Sequence, residues 1–120
     1  MAIHRSGEDY LEAILMIRSQ RGSCRSVDVA RHLEVSKPSV SVAMGRLRDE
    51  GMVTLDEDGF LLLTPAGEAI ASSIYERHCL LTDFFSKLGV PDEIAREDAC
   101  KVEHDLSEET FSALKRFLGA

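Results

Sequence analysis

The 120-residue sequence predicts a mainly α-helical chain in which one short β-hairpin interrupts a series of helices. Two observations carry this. Apolar residues recur at the i, i+3, i+4 spacing of a helix face through most of the chain. Between the third and fourth such stretches, two short apolar runs flank Asp56-Glu57-Asp58-Gly59, a hairpin turn signal.

The first helix is expected over 8–20, with Leu11, Ile14 and Leu15 as its apolar stripe and Arg21-Gly22-Ser23 ending it. Ser26 is expected to cap a second helix that turns Val29, Ala30 and Leu33 inward. Val35-Ser36-Lys37-Pro38 then forces a turn. Ser36 is a good N-cap, and proline is tolerated in a first turn because its missing N–H has no helical partner there. The third helix buries Val40, Ala43, Met44 and Leu47 and leaves Ser39, Ser41, Val42, Arg46 and Arg48 on the opposite face. Gly51 stops it. Strands are expected over 52–55 and 60–63.

Thr64-Pro65 starts a long helix reaching about Leu88, where Gly89 ends it. Pro91 begins another, expected to run through about Asp105. Ser107 caps a last one bearing Phe111, Leu114 and Leu118. Helix, helix, turn, helix, hairpin is the winged helix-turn-helix plan. Residues 1–64 are therefore expected to form a winged helix-turn-helix DNA-binding domain, and 65–120 a second, helical domain.

Composition narrows the class. No apolar run approaches the roughly 20 residues that span a bilayer, and residues 1–7 hold no apolar stretch of signal-peptide type. A soluble, cytoplasmic protein is expected, with no membrane partner. Three widely spaced cysteines, Cys24, Cys79 and Cys100, do not make a disulfide framework. Net charge is −7, but residues 1–50 hold eight basic against seven acidic side chains, while 51–120 hold six against fourteen. The acid lies in the second half, and a DNA reader needs only a local basic face.

That face is the third helix. A recognition helix enters the major groove by its N-terminal residues, here Ser36, Lys37, Pro38, Ser39, Ser41 and Val42. Short hydroxyls bond phosphates or bases, and Val42 suits a thymine methyl. Lys37, Arg46 and Arg48 suit phosphates, assisted by the positive end of the helix. The hairpin tip is acidic, which sets it against the phosphate backbone unless it points away or has a counterion.

A second set of residues carries metal chemistry. Cys100, Glu103 and His104 stand at i, i+3 and i+4 and are expected on one face of one helix. Asp9 and Glu12 stand at i and i+3 on the first helix, and His78 lies within the long helix. Each group alone also fits a solvated surface or a core position. Cys24 and Cys79 read as packing residues, and His4 and His32 as surface groups.

The segments GEDYLEAI (7–14), ERHCLLTDFF (76–85) and DACKVEHDLS (98–107), set around a winged helix, resemble the diphtheria toxin repressor and manganese transport regulator (DtxR/MntR) family. The resemblance covers about residues 7–118. It implies a homodimer that binds palindromic operator DNA when loaded with Mn²⁺ or Fe²⁺, and a helical domain serving metal binding and dimerisation. Carried over position by position, Asp9, Glu12, His78, Glu103 and His104 match the manganese-type ligands. Cys100 instead resembles iron-type members, which usually have methionine where this chain has Asp9. The SH3-like domain of longer members is expected to be absent.

Three carboxylates are hard donors suited to Mn²⁺, the two imidazoles also suit Fe²⁺, Co²⁺ or Zn²⁺, and a thiolate shifts preference away from Mn²⁺. If Cys100 offers its backbone carbonyl instead, the site is harder. More than four donors favour an octahedral or two-ion arrangement over tetrahedral zinc. Mn²⁺ is placed slightly ahead of Fe²⁺. Phe111, Leu114 and Leu118 are the expected dimer surface, or else part of the monomer's core.

An enzyme is not expected, nor an organic small-molecule substrate. No nucleophile set, Gly-rich phosphate loop or H-E-x-x-H motif is present. The alternatives are a metal-independent winged-helix regulator of MarR type, a winged helix used only for protein contacts, and a small metalloenzyme using bound metal to activate water.

Overall fold

A computed structural model describes residues 5–119; His4 lies outside them. The order is α1 (Arg5–Arg21), α2 (Ser26–Leu33), α3 (Lys37–Asp49), β1 (Val53–Leu55), β2 (Leu61–Leu63), α4 (Pro65–Lys87), α5 (Asp92–Val102) and α6 (Glu108–Leu118). The chain divides into two compact units, one ending at Ser72 and the other starting at Ser73. No helix of the described residues is long and apolar enough to cross a membrane.

The first unit is the expected winged helix. Its core gathers Leu11, Ile14 and Ile17 of α1, Val29 of α2, Val40, Met44 and Leu47 of α3, and Val53 and Leu61 of the hairpin. Burying such a side chain contributes about 1.5–3 kcal/mol each. The stripe on α1 is wider than the three positions read from the sequence, because Ala13 and Ile17 are buried as well.

Local chemistry sets the boundaries. The N-cap of α2 is Arg25 rather than the expected Ser26. Asp28, three residues on, reverses the usual arrangement: its carboxylate accepts from the Arg25 backbone N–H at 3.0 Å. Ser36 caps α3 as expected, its Oγ accepting from the Ser39 N–H at 3.2 Å. At the other end of α3, Gly51 takes a φ of +76°. Its N–H donates to the Arg48 carbonyl and that of Met52 to the Leu47 carbonyl, which together reverse the chain into β1.

β1 and β2 pair antiparallel, Val53 with Leu63 and Leu55 with Leu61. The tip is built by Asp56, whose Oδ1 accepts from the N–H groups of Asp58 and Phe60, each at 2.9 Å. This acidic side chain therefore shapes the turn. Arg25 reaches the tip from the start of α2. It donates to the Asp58 carbonyl at 2.9 Å, and its guanidinium lies 4.0 Å from the centre of the Phe60 ring.

The hairpin leads into α4 through Thr64, which accepts from the Gly67 N–H and donates to the Gly51 carbonyl. Gly67 is pressed against the start of the hairpin: a Cβ there would collide with the Met52 carbonyl oxygen. Gly67→Ala must push backbone aside and is expected to cost about 1–3 kcal/mol. The readout is a lowered urea midpoint at unchanged slope; a wild-type midpoint would show that α4 shifts freely from the hairpin.

In the second unit, Ile74, Leu81, Ala95, Ala99 and Phe111 are buried. Ser107 caps α6 as expected, accepting from the Thr110 N–H at 3.1 Å. Phe111 is 4% exposed within this one chain, under the side chains of Arg77 and Lys115. Its ring thus packs within this chain, the second of the two places expected for it. Leu114 and Leu118 are half-buried, while Phe117 is 82% exposed.

Candidate metal centre and nucleic-acid interface

α5 ends sooner than its periodicity suggests. The helix stops at Val102, Glu103 is its C-cap and His104 stands in a turn. The expectation that Cys100, Glu103 and His104 share one helix is therefore wrong in detail. The chain must reverse here to reach the Ser107 cap of α6, and the Asp105 N–H closes the turn on the Val102 carbonyl at 3.0 Å.

The turn nonetheless brings donors together. Glu103 keeps helical dihedrals and sends its carboxylate inward, where the residue is 0% exposed. Its Oε2 lies 3.1 Å from His78 Nδ1 on α4. The Cys100 sulfur, on the exposed side of α5, lies 3.6 Å from the same nitrogen. The donor atoms of His78, Cys100 and Glu103 all fall within 4.8 Å of one another. His104 Nε2 stands 3.5 Å from Glu103 Oε1, and that oxygen accepts no hydrogen bond among the described residues.

A fully buried carboxylate with an oxygen left over is costly unless a cation or donor meets it. The Cys100 sulfur foremost, and then the Glu103 carboxylate, push the His78 imidazole up to about 10. Both neighbours thus favour the cationic form of the imidazole. A divalent cation suits the place between these three groups, since ligands bind deprotonated and a nitrogen, sulfur and oxygen set matches first-row transition metals. The residues present fit a metal ion.

Asp9, half-buried, and Glu12, buried, belong to α1 in the first unit. Cys24 is buried, and burial raises its thiol to about 11, which keeps it neutral and suits a packing role. Cys79 is exposed, against the expectation that it packs; it falls on the outer face of α4. His32 is exposed, as expected. Two cationic residues escaped the sequence reading. Arg25 has the wing-tip contacts given above, and Arg77 is buried beside His78. An arginine directly before a candidate ligand was the only signal for the second.

On α3, Lys37, Pro38, Ser39, Ser41, Val42, Arg46 and Arg48 are all exposed, Val42 at 66%. The Ser36 and Ser39 hydroxyls are 2.8 Å apart, so capping already engages both. An open polar cleft of about 540 Å³ lies between Gly45, Arg48 and Asp49 of α3 and Val53, Thr54 and Leu55 of the wing.

An exposed helix backed by a winged-helix core, followed by a helical unit gathering imidazole, thiol and carboxylate, defines a class of two-part regulators. Residues 3–61 match the family model for the iron-dependent repressor N-terminal DNA-binding domain, and 64–120 that for its metal-binding and dimerisation domain. The transcriptional regulator MntR of Escherichia coli O157:H7 is 39% identical over 110 residues, covering 92% of this chain and 71% of that protein. The manganese regulator SloR superposes with a TM-score of 0.83 at 30% identity, over 99% of this chain and 55% of that one. IdeR of T. acidophilum gives 0.84 at 27%, over 100% and 56%. This chain thus spans about half the length of those two structures. It belongs to the iron-dependent repressor family of metal-dependent transcriptional regulators, the DtxR/MntR family. The relatives are transcriptional regulators, not enzymes.

Proposed function

We propose that this chain is a metal-dependent repressor that binds palindromic operator DNA as a homodimer when loaded with Mn²⁺ or Fe²⁺, and so controls genes of metal homeostasis. The observation that carries this reading is the convergence of His78, Cys100 and the buried Glu103 carboxylate within 4.8 Å, in a chain that also carries a winged helix. His104 is the further donor of the second unit. Asp9 and Glu12 are assigned to the ligand set by the family resemblance.

When bound, the ion supplies positive charge that offsets the carboxylates and links donors distant in sequence. Mn²⁺ draws support from the three carboxylates, Fe²⁺ from the imidazoles and the Cys100 sulfur, and six donors suffice for an octahedral site or for two ions. The protein's residues do the rest. Lys37, Arg46 and Arg48 neutralise phosphates, and Ser36, Ser39, Ser41 and Val42 with Pro38 form the approach to the groove. Leu114 and Leu118 lie on the proposed dimer surface, which sets two recognition helices at half-sites about 34–36 Å apart or a multiple of that.

Metal and DNA then favour the same conformer, and the coupling is reciprocal. Duplexes selected from a random pool in the presence of Mn²⁺ or Fe²⁺ are expected to bind about 5- to 150-fold more tightly with metal than without. A metal effect below about twofold in that titration would remove the corepressor role.

A further inference from the structure

Arg77 precedes His78 on α4, and its side chain is only 8% exposed. A buried guanidinium is costly unless acceptors surround it. Here its hydrogen-bond acceptors among the described residues come from the turn that follows α5 and from the first residue of α6. Nη1 donates to the Glu103 carbonyl at 3.2 Å and to the Leu106 carbonyl at 2.5 Å, and Nη2 donates to Glu108 Oε1 at 2.7 Å. The guanidinium carbon lies 5.1 Å from the centre of the Phe111 ring.

These contacts bracket the candidate ligands. The two carbonyls belong to Glu103 and Leu106, on either side of His104. One ligand, His78, is the next residue on the helix that carries Arg77; another, Glu103, gives Arg77 its backbone oxygen. A planar fork of donors serves three acceptors in fixed directions, which a lysine ammonium cannot do. A guanidinium carries donors and no acceptor, so Arg77 does not itself ligate a metal.

We propose that Arg77 is a positioning residue of the metal centre: it clamps the 103–108 turn against α4 and thereby sets where the Glu103 carboxylate and the His104 imidazole stand relative to His78. This rests on the metal-dependent reading above. Groups that orient metal ligands from outside typically change affinity by about 10- to 100-fold when removed.

The test is a Co²⁺ titration of the full chain, followed by the d–d absorption of the bound ion, for the wild type, Arg77→Met and Arg77→Lys. Arg77→Met is expected to weaken Co²⁺ binding about 10- to 100-fold, and Arg77→Lys at least about threefold, with altered band shape in both. Amide exchange at 104–106 in the metal-free variants should also quicken. A residue that merely stabilises the unit lowers the melting temperature but leaves the affinity and spectrum of the folded protein unchanged. Wild-type affinity and spectrum in Arg77→Lys overturn the proposal, and that variant decides alone if Arg77→Met does not fold. A wild type that binds no Co²⁺ instead overturns the metal reading itself, and the clamp's role with it.

Discussion

Glu103→Ala is expected to weaken Mn²⁺ or Co²⁺ binding by about 100-fold or more, since groups that only orient ligands already account for about 10- to 100-fold. The carboxylate is fully buried, with one oxygen 3.1 Å from His78 Nδ1 and the other 3.5 Å from His104 Nε2. Metal-free folding should survive. Alanine brings no polar atom into the core, and His78 Nδ1 keeps the Cys100 sulfur at 3.6 Å as a partner. Glu103→Gln keeps the shape and isolates the charge, so it should lose metal affinity in the same direction. The measurement is a metal titration beside a thermal melt of the metal-free protein. A titration indistinguishable from wild type would take Glu103 out of the site.

The second large effect concerns DNA. Replacing Arg46 and Arg48 together by alanine is expected to lower the slope of log affinity against log salt by about 2, one unit for each phosphate no longer neutralised. Affinity at moderate salt should drop with it, for all sequences alike. Both side chains are exposed on α3, and Arg48 borders the cleft beside the wing. Against an overall charge of −7, phosphate attraction rests on local cations such as these. Titrations of one selected duplex at several salt concentrations give the slope. A slope unchanged in the double variant would move the phosphate contacts elsewhere on the protein.

The sequence made the architecture legible where local chemistry decides it. Ser36 and Pro38 marked the start of α3, Gly51 its end and Asp56-Glu57-Asp58-Gly59 the wing, because caps and turns are encoded within a few residues. Helix ends set by tertiary contact were less legible. Periodicity carried α5 on to about Asp105, yet it stops at Val102, where the Arg77 guanidinium takes up the carbonyls of Glu103 and Leu106. Nothing in the spacing from Arg77 to those positions announces that contact. The same limit applies to Phe111. Its helical spacing with Leu114 and Leu118 shows a common face, but not whether that face closes the monomer or meets a partner.

Candidate donors were legible as residue types, and the proximity of Cys100 to Glu103 followed from a near-helical turn. Their approach to His78, more than twenty residues earlier in the chain, came into view through the family resemblance and then through the fold. The wing illustrates a subtler case. Its three acidic residues look hostile to DNA in the sequence, but Asp56 is engaged with backbone N–H groups and Arg25 is held to the Asp58 carbonyl. Part of that charge serves the turn.

The most direct measurement is anomalous diffraction from crystals of the full chain grown with Mn²⁺ or Fe²⁺, collected on either side of that metal's absorption edge. A peak at bonding distance from the Glu103 carboxylate and the His78 imidazole is the expected result. Crystals that take up the ion elsewhere, with no peak among His78, Cys100 and Glu103, would contradict the account.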